Sequence, residues 1–169
     1  MKDNRVEPDT VIHRHVAEAR EGRESRVVTR LTSGWVLFGQ QQFVKGYLLL
    51  LPDPVVPSLN ALGQKERTQF LLDMSRVGDA LIKVAPNVVR INYAIFGNVE
   101  PALHAHVIPR YTDEPENMRT AQPWAYDWNA APAFDRKALK EFGEALHHEL
   151  GRMGVTKPMR FAPGENVQP

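Results

Sequence analysis

The sequence predicts an α+β fold: an antiparallel sheet of about five strands, a long helix between the third and fourth strands, and a helix near the C-terminus. Three observations carry this. Short apolar runs bounded by turn residues fill residues 26–52, a helical stripe follows over 65–84, and two further apolar runs come after it. Most strand links are too short for crossover helices, so the pairing should be antiparallel.

Taken in order, residues 9–22 form a short opening helix, with Asp9 or Thr10 as N-cap and Gly22 near its end. Val27, Val28 and Leu31 mark the first strand, Gly34 to Phe38 the second, and Gly46 to Leu51 the third. Pro52-Asp53-Pro54 ends the third, because proline donates no ladder hydrogen bond. Phe70, Leu71, Met74, Val77, Leu81 and Ile82 recur at helical spacing until Pro86. Val88 to Phe96 and Leu103 to Tyr111 then read as two strands joined around Gly97-Asn98. The segment from Thr112 to Pro132 has no period but holds three prolines, Trp124, Trp128 and Tyr126; it is expected to be an ordered loop packed by aromatics. Closure of those aromatics over a ligand is the other reading. Residues 135–150 give the last helix, capped by Asp135, and residues 156–169 are expected to be a disordered tail.

Composition narrows the functional classes. With 21 Lys and Arg against 20 Asp and Glu, the net charge is +1, which offers no electrostatic case for a nucleic-acid duplex or an anionic membrane. The absence of cysteine excludes disulfides, thiolate nucleophiles and Cys-ligated zinc. Met1 to Glu24 is charged and lacks the apolar core of a secretory signal, and no run suffices for a membrane span, so a cytoplasmic protein is expected.

His104 and His106 carry the chemistry. Two residues apart in a strand, they project from one face, while Leu103, Ala105 and Val107 point into the core. Such a pair has four uses. It can be structural, or it can form half of a zinc site, with Glu100, His13, His15, His147 or His148 as candidate third ligands, none at a diagnostic spacing. It can supply a nucleophile at phosphorus, one imidazole attacking and the other donating a hydrogen bond, with Asn98 and Asn92 near the phosphoryl oxygens. Or it can belong to a nucleotide-binding pocket without catalysis.

The run from Gly97-Asn98 through Pro101-Ala102-Leu103-His104-Ala105-His106 to Val107-Ile108-Pro109-Arg110 resembles the motif of the histidine triad (HIT) superfamily. It is similar above all to a bacterial branch in which the first histidine is replaced, here by Ala102, and in which a Pro/Trp-rich segment follows the motif. The resemblance divides the chain into an N-terminal extension (1–25), a HIT-like core (26–111), the aromatic loop with its helix (112–155) and the tail. It implies a hydrolase or nucleotidyltransferase cleaving at the α-phosphate of a nucleoside phosphate conjugate, such as a dinucleoside polyphosphate or a nucleoside phosphoramidate. His104 would be the nucleophile, with His106 as its hydrogen-bonding partner. Asn98 and Asn92 would hold the phosphate. Relatives often place Asn or Asp after the second strand for the ribose; here the chain reads Gly39-Gln40-Gln41-Gln42, and Gln40 is the candidate substitute. The covalent step needs no cofactor, though a polyphosphate can arrive with Mg²⁺. Many relatives are homodimers, so the resemblance extends to a homodimer.

Overall fold

In the computed structural model, which describes residues 10–159, six antiparallel strands run in the order β4-β5-β3-β2-β1-β6. The strands are β1 (Val27–Leu31), β2 (Gly34–Phe38), β3 (Leu48–Pro52), β4 (Val88–Ile95), β5 (Ala105–Tyr111) and β6 (Thr156–Lys157). The sixth strand is a correction to the expected tail: Thr156 and Lys157 pair with Leu31 and Arg30, and residues 160–169 of that tail lie outside the described region.

Helices cover both faces. α1 (Val11–Arg20) starts at Thr10, whose side chain accepts from the His13 amide, a cap worth about 1 kcal/mol. Its buried stripe of Ile12, Val16 and Ala19 packs with Trp35, Leu37, Leu51 and Ala102. Residues 11–20 of the segment read as an extension are thus packed against the sheet. On the opposite face, α2 (Gln64–Val84) and α4 (Arg136–Arg152) enclose the main core, which includes Phe70, Val77, Leu81, Leu139, Leu146, Leu150 and the inward residues Leu103, Ala105 and Val107. Asp135 caps α4 by accepting from the Lys137 and Ala138 amides.

The buried stripe of α2 is narrower than its apolar spacing suggests. Leu71 and Ile82 are 38% and 49% exposed, whereas Asp73 is fully buried. That carboxylate is satisfied by the Ser33 amide and hydroxyl at 2.9 and 2.8 Å and by the Gln69 amide at 2.8 Å, so it ties α2 to the β1–β2 turn. Among the described residues no helix is long and apolar enough to cross a membrane.

The segment after β5 is ordered around one arginine. It contains a single turn, α3 (Glu116–Arg119), and a 3-10 turn (Pro123–Ala125). Arg110 reaches the Glu114 carboxylate at 2.9 and 3.0 Å, the Ala121 carbonyl at 3.0 Å and the Asn92 side-chain oxygen at 2.9 Å. Burial pushes the Glu114 carboxyl up, but hydrogen bonds from Arg110, Tyr126 and the Tyr111 amide hold it below its ordinary range.

Candidate active site

β5 lies between β4 and β3, with His106 opposite Leu49 on one side and Ala94 on the other. Residues directly opposite across an antiparallel pair share a face, so His106 stands on the outer face, away from α2 and α4. His104 lies just before β5, and its ring centroid is still 4.9 Å from that of His106, edge to face. The pair borders a cleft of about 430 Å³ lined also by Phe96 to Glu100, Trp124 and Trp128.

Each imidazole is held at Nδ1, by different partners. His104 Nδ1 is 2.8 Å from the Ala102 carbonyl. A carbonyl only accepts, so Nδ1 carries a proton and, in the neutral ring, Nε2 keeps a bare lone pair. Ala102, where the motif resemblance puts the first histidine, makes this contact with its backbone, which any residue supplies. Its side chain is fully buried under α1. His106 Nδ1 lies 2.6 Å from the Tyr47 hydroxyl, and the two rings stack at 10°. Burial, with a smaller contribution from His104, lowers the His106 pKa to about 4, so this ring is neutral near pH 7. Burial also raises the Tyr47 phenol, which stays protonated.

Aromatic side chains close one side. Trp124 is 43% exposed and Phe96 47%; they meet edge to face at 4.8 Å and both approach the His106 ring, at 5.6 and 6.1 Å. Trp128 instead packs at 4.1 Å on Phe43 and against Tyr47. The two readings of the aromatic segment therefore divide between its tryptophans: Trp128 anchors, and Trp124 walls the cleft.

Of the residues expected at the site, His104, His106 and Asn98 meet at the cleft, where the Asn98 side chain is exposed and makes no hydrogen bond among the described residues. Asn92 is not brought there; its side-chain oxygen serves Arg110. Gln40 is not brought there either: it is exposed, does not line the cleft, and its carbonyl accepts from the Phe134 amide. The glutamine with a structural role is Gln42, buried, donating to the Gly39 and Tyr47 carbonyls and accepting from the Gly46 amide. Tyr47 was not singled out as a site residue. Its signal is positional: it immediately precedes β3 and is two residues from Leu49, the partner of His106, and that requires the register.

The candidate third metal ligands are differently placed, with only Glu100 lining the cleft. Glu100 accepts from the Val11 amide at 3.1 Å, His13 bonds Thr10, and His147 and His148 are exposed on α4. Among the described residues, the one close set of three potential donors is His15, Glu18 and Glu24, away from the cleft. The Arg26 guanidinium lies 3.0 Å from His15 and 2.7 Å from Glu24, placing a cation there already.

Comparison with known proteins bears on the family and the fold. The family model described as the HIT domain matches residues 21–113. No curated protein matches the chain by sequence. Among solved structures, a histidine triad protein from Bradyrhizobium japonicum is similar at 26% identity and TM-score 0.64, over 73% of this chain and 88% of the other. One from Marinobacter aquaeolei shares 17% identity at TM-score 0.67, over 85% and 97%. A zinc-bound histidine triad family protein from Mycobacterium smegmatis shares 16% identity at TM-score 0.59, over 82% and 94%.

Proposed function

The chain belongs to the HIT domain family, and from that premise we propose that it is a nucleotide hydrolase or nucleotidyltransferase acting at the α-phosphate of a nucleoside phosphate conjugate. The observation that carries this is the pair of differently held imidazoles: His104, bonded through Nδ1 with Nε2 unpartnered among the described residues, beside a second, neutral ring 4.9 Å away. His104 Nε2 attacks the phosphorus. The bond to the leaving group breaks as the phosphorus–nitrogen bond forms, and the departing group takes up a proton from solvent, which the attacking water gives back in the second step. Water then attacks the nucleotidyl-histidine, releasing the nucleoside monophosphate and restoring the neutral ring. His106 hydrogen-bonds the phosphoryl or leaving-group oxygens, and the Asn98 amide helps to hold their charge.

The lining also bears on the substrate. It holds neither lysine nor arginine, and its one charged side chain is Glu100. A conjugate with a single phosphoryl group suits such a wall better than a polyphosphate, which would bring Mg²⁺ to offset its charge. A homodimer is part of the reading: β4 is the sheet's open edge, with Val89 63% and Tyr93 42% exposed. Light scattering at micromolar concentration reads this directly, and a monomer mass would remove it.

The test uses chelator-treated protein with adenosine phosphoramidate or diadenosine polyphosphate, following AMP release and intact mass. An adenylylated protein and AMP without added metal, both absent from His104→Ala, are expected. Activity in His104→Ala would overturn the nucleophile. Zinc-dependent activity would move the pair to metal chemistry, and nucleotide retention without turnover would indicate a binding module.

A further inference from the structure

We infer that Tyr47 is a positioning residue that fixes His106 with its proton on Nε2, and that residue 39 is glycine because the tyrosine ring occupies the space of its side chain. The argument is an accounting of hydrogen-bond donors. Tyr47 is 3% exposed, and its hydroxyl has one partner among the described residues, His106 Nδ1 at 2.6 Å. Were Nδ1–H the donor, the phenol proton would be left buried with no acceptor among the described residues, a desolvated donor that folded proteins avoid. With the phenol donating, both groups are satisfied and the ring proton sits on Nε2, the nitrogen left for a ligand.

Gly39 makes this placement feasible. A Cβ built on it would lie 2.1 and 2.2 Å from Cε1 and Cδ1 of Tyr47, closer than carbon atoms approach. The neighbouring backbone is fixed as well, with the Gly39 amide donating to the Tyr47 carbonyl at 2.9 Å and Gln42 bridging both carbonyls. The second strand therefore ends on a residue without a side chain, and the tyrosine ring fills that space. The two rings are thus held through Nδ1 in opposite senses, His104 donating to a carbonyl and His106 accepting from a phenol.

The catalytic meaning of this assignment rests on the proposed reaction, but its first readout does not. Long-range ¹H–¹⁵N correlation spectra of histidine-labelled protein near pH 7 report each tautomer in the free protein. The expected result is Nε2–H at His106 and Nδ1–H at His104 in the wild type. Tyr47→Phe, which keeps the ring, should give mixed tautomers at His106 alone, with kcat for a phosphoramidate lower by on the order of tenfold to hundredfold and KM little changed. Gly39→Ala should displace the ring and give the same His106 signature. Nδ1–H at His106 in the wild type, or pure Nε2–H surviving in Tyr47→Phe, would overturn the positioning role, and neither result requires turnover. A wild-type His106 signature in Gly39→Ala would refute the steric link, and should that variant not fold, the wild-type and Tyr47→Phe spectra still decide the role of Tyr47.

Discussion

His104 takes its hydrogen-bond partner from two residues back, the Ala102 carbonyl, whereas His106 takes its partner from Tyr47, 59 residues away. The local contact survives any side chain at position 102, which is compatible with losing the first histidine of the motif. The distant contact depends on strand register, on a glycine and on one hydroxyl. Two neighbouring histidines thus draw on different parts of the fold, one insensitive to sequence and one demanding of it.

The sharpest way to break the comparison is to delete each ring. His104→Ala should lose turnover by on the order of 10⁶, the scale for removing a covalent nucleophile. His106→Ala should cost about 10² to 10⁴ and leave binding. Single-turnover assays separate the two; equal losses with no adduct in either variant would mean that the rings act as one unit. Next comes the anchor of the aromatic wall. Arg110→Ala leaves Glu114, which is 7% exposed, without its ion-pair partner, and should cost about 3–5 kcal/mol in denaturant unfolding, together with a raised KM as Trp124 is released. Arg110→Lys should restore only part, since an ammonium lacks the planar fork that reaches Glu114, Asn92 and Ala121 together.

Restoring the missing histidine tests the local contact. Ala102 is fully buried among Ile12, Val16 and Trp35, so Ala102→His overpacks that cluster and should cost about 1–3 kcal/mol with no gain in turnover. A more active variant would show that the first histidine had been needed. The most gradual effect is on acid stability. An unfolded imidazole binds its proton near 6.5, while His106 does so only near 4, so between those values the unfolded state holds more protons. Stability should therefore fall as pH drops from about 6.5 toward 4 and be unaffected by this ring above that window. Denaturant titrations at several pH values should show a flatter slope in His106→Asn.

Apolar runs broken by Gly and Pro mark strands whatever their partners, which is why the meander, the long helix and the motif strand can be read from sequence. The helical spacing of α2 could not show that Asp73 replaces part of its apolar stripe, because the partner is the turn at Ser33, 40 residues away. For the same reason Asn92 looked like a phosphate ligand: its neighbour Arg110 comes from the adjacent strand and is visible only in the register. Thr156 and Lys157 are too short a run to signal a strand, and they become one by completing an edge. At the site, the spacing of His104 and His106 fixes their common face, while the tautomers depend on contacts that no local pattern encodes.

The chain has three tryptophans in three surroundings: Trp35 is fully buried, Trp128 packs inside an aromatic cluster, and Trp124 stands nearly half exposed beside His106. The site consequently carries its own optical probe. A ligand entering the cleft dries and stacks on Trp124 while Trp35 keeps its surroundings, so emission should shift to the blue by an amount that Trp124→Phe abolishes. Occupancy can then be followed in unlabelled protein, before any product has formed.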